Sequence, residues 1–231
     1  MRRLLRWTWR IVLLALCALT AVQFWFLVHI WYWADHNPES TAFMRGRLAI
    51  IREDEPRARL AQRWVPYGRI ATPLKQAVIA AEDANFVTHS GFDWDALRKA
   101  HERNVKEGEV VLGGSTISQQ LAKNLFLPPG RTWWRKAQEA AITVMLEALL
   151  TKRRILEIYL NVVEWGDGVY GAEAAARYHY GVPASALSPE QAARLAAMLP
   201  SPRSYNPKSD TLYLRERTAD LLSHMHLARV P

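Results

Sequence analysis

Hydrophobic and polar positions divide this chain into two unlike parts. From Ile11 to Trp33 no Asp, Glu, Lys or Arg interrupts 23 residues. A helix of that length rises about 34 Å at ~1.5 Å per residue, enough to cross a ~30 Å hydrocarbon core. Trp7 and Trp9 flank one end, and Trp31, Tyr32 and Trp33 the other, where amphipathic rings favour the two membrane–water interfaces. Beyond residue 34 the pattern becomes mixed and periodic. The segment 34–64, with its run Arg52-Glu53-Asp54-Glu55, reads as a stalk or entry segment with one short strand near Leu48–Ile51.

Helical signals follow in series. Thr72-Pro73 opens a helix that runs to Glu82-Asp83, and Asp93-Trp94-Asp95 opens another to about Lys106. Gly108, Gly113 and Gly114 bracket a flexible loop, and Ser115 starts the next helix. Thr132 and Thr151 cap helices ending near Leu150 and Asn161, and Val163–Gly171 reads as a glycine-rich loop. Further helices are expected near 171–180, at 189–199 behind the capping box Ser188–Gln191, and over 209–228. The expected architecture is mainly α: a basic tail (1–10), a membrane helix (11–33), the stalk (34–64) and one helical domain (65–231).

Charge adds orientation. Arg2, Arg3, Arg6 and Arg10 precede the apolar run, whereas Asp35 and Glu39 follow it, which places the N-terminus in the cytoplasm. The run is too long for a cleaved signal sequence and no small-x-small site ends it. Leu14-Ala15-Leu16-Cys17 is a poor lipoprotein site, because Leu16 is bulky and the apolar run continues past it. The formal charge is +8, but the four arginines of the tail leave only +4 for the rest. That balance suits an anionic membrane surface or an anionic substrate rather than nucleic acid. Cys17, the only cysteine, lies inside the apolar run, so no intrachain disulfide and no cysteine-based metal site is possible.

Four stretches carry candidate chemistry. In Gly113–Asn124, Ile117, Leu121 and Leu125 recur every four residues and can face a core. Thr116, Gln120, Lys123 and Asn124 share another face. A face with hydroxyl, amide and one ammonium suits a ligand rich in hydroxyls with an anion; a merely solvated face is the alternative. In Glu82–Gly91 two adjacent carboxylates end a helix beside Phe86 and His89. A carboxylate withdrawn from water beside an aromatic ring gains proton affinity and can serve as a general base; an exposed acidic turn would look the same. Arg135 and Glu139 lie one turn apart, as an ordinary ion pair would. The helix from Lys152 starts with three cations, which the helix dipole disfavours unless an anion lies near.

Together these stretches resemble the biosynthetic peptidoglycan glycosyltransferases. Five motifs stand in order: Glu82-Asp83-x-x-Phe86-x-x-His89-x-Gly91; Gly114-Ser115-Thr116-Ile117-x-Gln119-Gln120-x-x-Lys123-Asn124; Arg135-Lys136-x-x-Glu139; Lys152-x-x-Ile155-Leu156-Glu157-x-Tyr159-Leu160-Asn161; and Gly171-Ala172-x-x-Ala175-Ala176-x-Tyr178-x-Tyr180-Gly181. The resemblance covers about residues 65–210. Ser118, Tyr180 and Val182 depart from the pattern, where Thr, Phe and Lys are usual.

The resemblance implies a lysozyme-like helical domain with a small membrane-contacting jaw, drawn from Leu125-Phe126-Leu127 and Trp133-Trp134. It implies polymerisation of lipid II into glycan strands, with Glu82 as base and Glu139 as the second carboxylate near the leaving diphosphate, alone or through Mg2+ or another divalent cation. No organic cofactor is implied. Lys123, Arg135, Lys136 and Lys152 would offset diphosphate charge. Ser115, Thr116, Gln119, Gln120 and Asn124, with Asp83, Phe86 and His89, would line the substrate. The implied partners are lipid II, the nascent strand, membrane lipid and proteins of wall synthesis or division, at an inner membrane. After residue 35 neither Ser-x-x-Lys nor Lys-Thr-Gly occurs, so no transpeptidase signature accompanies these motifs. A lysozyme-like hydrolase and a non-catalytic glycan-binding scaffold are the competing classes.

Overall fold

The computed structural model describes residues 2–107, 114–130, 132–209 and 211–231. The loop expected between Gly108 and Gly113 lies outside the described residues. The chain opens on α1 (Arg2–Tyr32), whose stretch Arg6–Tyr32 is long and apolar enough to cross a membrane and is almost wholly uncovered by protein. A further nine α-helices follow among the described residues: α2 (Ala42–Asp54), α3 (Thr72–Glu82), α4 (Trp94–Glu107), α5 (Ile117–Phe126), α6 (Trp133–Leu149), α7 (Lys152–Val162), α8 (Ala172–Tyr180), α9 (Pro189–Met198) and α10 (Leu212–His224). The mainly helical architecture expected from the periodicity is the one found.

Three expectations are corrected. The strand near Leu48–Ile51 is instead part of α2, whose N-cap Thr41 accepts the N–H of Met44. Met44 is buried, and α2 packs on α5. Within the entry segment 34–64, residues 42–54 therefore pack on the helical body. The glycine-rich loop 163–171 contains β2 (Glu164–Gly166) and β3 (Val169–Tyr170), an antiparallel pair. A short strand β1 (Ala61–Gln62) lies parallel to β3 on its other edge, giving the order β1-β3-β2. That pairing joins residues about a hundred positions apart, so no local signal announces it. The last helix stops at His224 and passes into a 3-10 turn over Met225–Leu227.

The core is built where the apolar stripes meet. Ile117, Leu121 and Leu125 of α5 are buried, as their spacing requires, against α6 and α7. On the other side α3 packs on α9, and α9 on α10. Gly171 shows why one motif position admits only glycine. Its φ is +83°, and a Cβ there would come 2.6 Å from the carbonyl oxygen of Asn161.

The apolar helix α1 is clamped to this body. Phe26 and Ile30 of α1 are buried, and the rings of Trp25, Phe26 and Trp33 gather within 5.0 to 5.8 Å of Phe126 at the end of α5. Arg154 of α7 donates from Nε to the Trp33 carbonyl at 2.9 Å and from Nη2 to the His36 carbonyl at 2.6 Å. These bonds hold the point where the chain leaves α1.

Candidate active site

Glu82 is the last residue of α3, and its Oε2 accepts a hydrogen bond from Nε2 of Gln120 on α5 at 2.6 Å. The other end of that amide, Oε1, accepts from the hydroxyl of Tyr159 on α7 at 3.0 Å. Burial raises the proton affinity of Glu82; the Gln120 bond and the charges of Arg217 and Lys123 oppose the rise, and Asp83 adds to it. The result is a carboxylate with its pKa above the ordinary glutamate value, partly exposed on one side. It lines a cavity of about 230 Å³ with Asp83, Asn85, Asp93, Gly114 and Ser115. Ser115 is exposed there.

Asp83, next in sequence, faces inward. Its Oδ1 lies 2.8 Å from His89 Nε2, and its Oδ2 accepts the N–H of Ile117, the first residue of α5, at 3.0 Å. His89 Nδ1 accepts the N–H of Gly91 at 3.1 Å, so the ring proton sits on Nε2 and points at Asp83. Gly91 has φ +92°, and a Cβ on it would approach Thr143 Cγ2 to 2.8 Å. Thr116 closes the loop from the other side: it caps α5 in a capping box with Gln119 and donates to the Gly91 carbonyl at 2.7 Å. Phe86 is fully buried beneath the turn. Asp83, His89, Thr116 and Gln119 thus join the C-terminus of α3 to the N-terminus of α5, and Glu82 and Gln120 stand on the two ends so joined.

A cationic flank adjoins this carboxylate. Burial lowers the proton affinity of Lys123, while Glu139 counters it most, and Glu82 also raises it; Arg135 and Lys136 act with burial. The ammonium therefore lies within electrostatic reach of both acids. Glu139, on α6, is buried and pairs with the half-exposed Lys136. Arg135 Nε is buried without a hydrogen-bond partner among the described residues. Asn124 donates to the Gln120 carbonyl at 2.9 Å, staying on the helix itself. Lys152 stands apart from this group: it pairs with Glu147 at 2.8 Å and lies 4.6 Å from the centre of the Phe86 ring. Glu147 also accepts from Ser118.

Sequence reasoning assigned no role to Glu147, Tyr159 or Arg217. Glu147 had a signal, since it follows Glu139 by eight residues and so shares its helix face. Arg217 had none: it reaches the Ala81 carbonyl, beside Glu82, at 3.2 Å from an element 136 residues away.

Trp133 is 93% and Trp134 63% exposed at the start of α6. A largely apolar cavity of about 770 Å³ separates α1 from the segment 126–138, with Arg135 at its edge. Among the described residues no group of three or more His, Cys, Asp or Glu is placed to hold a metal ion.

A single apolar helix, a helical body, a shielded carboxylate and a cation cluster beside exposed tryptophans define a class: an enzyme built to work on an anionic substrate at a membrane surface. The sequence model of the transglycosylase family matches residues 50–226. A biosynthetic peptidoglycan transglycosylase of Nitrosospira multiformis is 56% identical over 226 residues, covering 98% of each chain. One from Methylobacillus flagellatus is 56% identical over 223 residues, covering 96% of this chain and 97% of its own. One from Azoarcus is 59% identical over 205 residues, covering 89% of each. The chain belongs to the transglycosylase family. The match starts at residue 50, inside α2, which agrees with the packing of that helix into the body.

Proposed function

We propose that this protein polymerises lipid II into glycan strands, the reaction its relatives' name describes in outline, with Glu82 as the general base. The carrying observation is the environment of Glu82: burial raises its proton affinity, yet one face opens on a cavity beside Ser115. The 4-hydroxyl of the acceptor sugar gives its proton to Glu82 as its oxygen bonds to the anomeric carbon of the growing strand. The bond from that carbon to the lipid diphosphate breaks, and the electron pair leaves on the phosphate oxygen. The α-linked donor becomes a β-linked product, so no covalent enzyme intermediate is needed.

Negative charge grows on the leaving diphosphate, and fixed cations there stabilise it most at the transition state. Lys123, Arg135 and Lys136 supply that charge. Lys152 contributes less, being paired with Glu147. Ser115, exposed on the Glu82 cavity, lines the sugar side, while Asp83, Phe86, His89, Thr116, Gln119, Gln120 and Asn124 act on the substrate through the frame they build. Among the described residues a divalent cation finds only Glu139 as a protein carboxylate on this flank, so it would be held jointly with the diphosphate. The helix α1 anchors the enzyme with its N-terminus in the cytoplasm and the catalytic body on the opposite face of the membrane, because the arginines precede the span.

The test is polymerisation of purified lipid II in detergent or vesicles by the full chain and by Glu82→Gln. Polymer from the first and none from the second supports the reading. Fragments released from finished wall, with no polymer from lipid II, would refute it.

A further inference from the structure

We infer that Tyr159 is a positioning residue that holds the Gln120 amide in the orientation that donates to Glu82. Three side chains from three helices make one chain of hydrogen bonds: Tyr159 hydroxyl to Gln120 Oε1 at 3.0 Å, and Gln120 Nε2 to Glu82 Oε2 at 2.6 Å. Neither the family match nor the relatives' names assign Tyr159 any part. This inference rests on the reading of Glu82 as the base.

Donors and acceptors fix the orientation of the amide. An ionised carboxylate only accepts, so a glutamine facing it must present NH2. The amide oxygen then points the other way, into the core, where it needs a donor. Tyr159 is fully buried, and its hydroxyl is the donor bonded to that oxygen. Burial and the nearby carboxylates of Glu82 and Asp83 hold the phenol well above its ordinary pKa, so the proton stays on it throughout the working range. With the oxygen satisfied by Tyr159, rotating the amide would set a carbonyl against a carboxylate. The bond on Glu82 favours its charged form, the form that can take a proton.

The other groups facing Glu82 act as charges rather than as guides. Lys123 on α5 and Arg217 on α10 favour the ionised carboxylate, and Asp83 disfavours it; Tyr213 of α10 also lies within electrostatic reach. Gln120 is the one side chain hydrogen-bonded to the carboxylate among the described residues.

Tyr159→Phe keeps the ring and removes only the hydroxyl. The Gln120 oxygen then loses its donor, the amide is free to turn, and Glu82 loses a bond that favoured its charge. In the full chain, carbon-13 glutamate labelling, with Glu82 assigned by Glu82→Gln, should show the Glu82 midpoint rising by about one pH unit. The acid limb of kcat should rise with it and kcat at neutral pH should fall about tenfold, while KM for lipid II stays near wild type. A purely structural tyrosine would lower the melting temperature and leave both midpoints in place. The same substitution in a Gln120→Met background should move neither midpoint further, because the intermediary is gone. An unchanged Glu82 midpoint in Tyr159→Phe overturns the inference, as does an equal shift in both backgrounds. Wild-type protein that makes no polymer would instead overturn the functional reading, and the labelled titration would still decide whether Tyr159 acts on Glu82.

Discussion

His89 Nε2 lies 2.8 Å from Asp83 Oδ1, while the second oxygen of Asp83 accepts the Ile117 N–H at the first turn of α5. One carboxylate therefore fastens the loop after α3 and the start of α5, while its neighbour Glu82 bonds to Gln120. Asp83→Ala removes both bonds and strands the His89 ring. A stability loss of about 2–4 kcal/mol is expected, read as a lower thermal midpoint in detergent. His89→Ala should cost less, because the bond to Ile117 survives.

Glu82 has the opposite character. Its folded-state pKa lies above the unfolded one, so ionising it opposes folding, and that cost is fully present above the folded pKa. Glu82→Gln should therefore abolish polymerisation and melt slightly higher than wild type at neutral pH. The advantage should fade as pH falls through the folded and then the unfolded value. Melting curves at neutral and acid pH check this; a variant less stable at both would contradict the burial argument.

The same shift sets the acid side of the activity profile. Because the base must be ionised and burial raises its pKa, kcat should decline on acidification with a midpoint above the ordinary glutamate range. A midpoint at or below that of free glutamate would show that Gln120, Arg217 and Lys123 outweigh burial.

Metal dependence should appear only with substrate. Glu139 is buried and paired with Lys136, and among the described residues no cluster of ligands surrounds it. Calorimetric titration of the chelator-washed protein with Mg2+ should show no stoichiometric binding, whereas polymerisation should fall in EDTA and return with Mg2+. Tight binding of Mg2+ by the protein alone would reject the shared site.

Trp133 and Trp134 should act by seating the jaw rather than by holding the fold, since both are exposed. Replacing both with Asp should leave the melting temperature nearly unchanged and reduce polymerisation several-fold in vesicles. Quenching of tryptophan fluorescence by brominated lipid should drop in the same variant. Full quenching and full activity would place these rings away from the bilayer.

The legible parts of this protein were those written in local patterns. The apolar run 11–33, the caps Thr132, Thr151 and Ser188, and the buried stripe Ile117–Leu121–Leu125 each follow from spacing within one or two turns. Local reading failed where distant segments meet. Residues 48–51 lie in a helix, α2, that packs on α5, and β1 pairs with a strand about a hundred positions away. Asp83, His89 and Thr116 were expected to touch substrate, yet their polar atoms bond to one another and to the loop between them. A motif shows which side chains are required and is silent on which way they face.

By itself the sequence determined a helical chain with one apolar helix long enough to cross a membrane and with acids and cations in a recognisable order, because hydropathy, capping and motif spacing act over a few residues. Only the tertiary structure decided which of two adjacent carboxylates bonds to Gln120 and which ties α3 to α5, that Lys152 is paired away from the cationic flank, and that Tyr159 reaches Glu82 through Gln120. Those outcomes depend on burial and on hydrogen bonds between helices 38 and 39 residues apart, which no local pattern encodes.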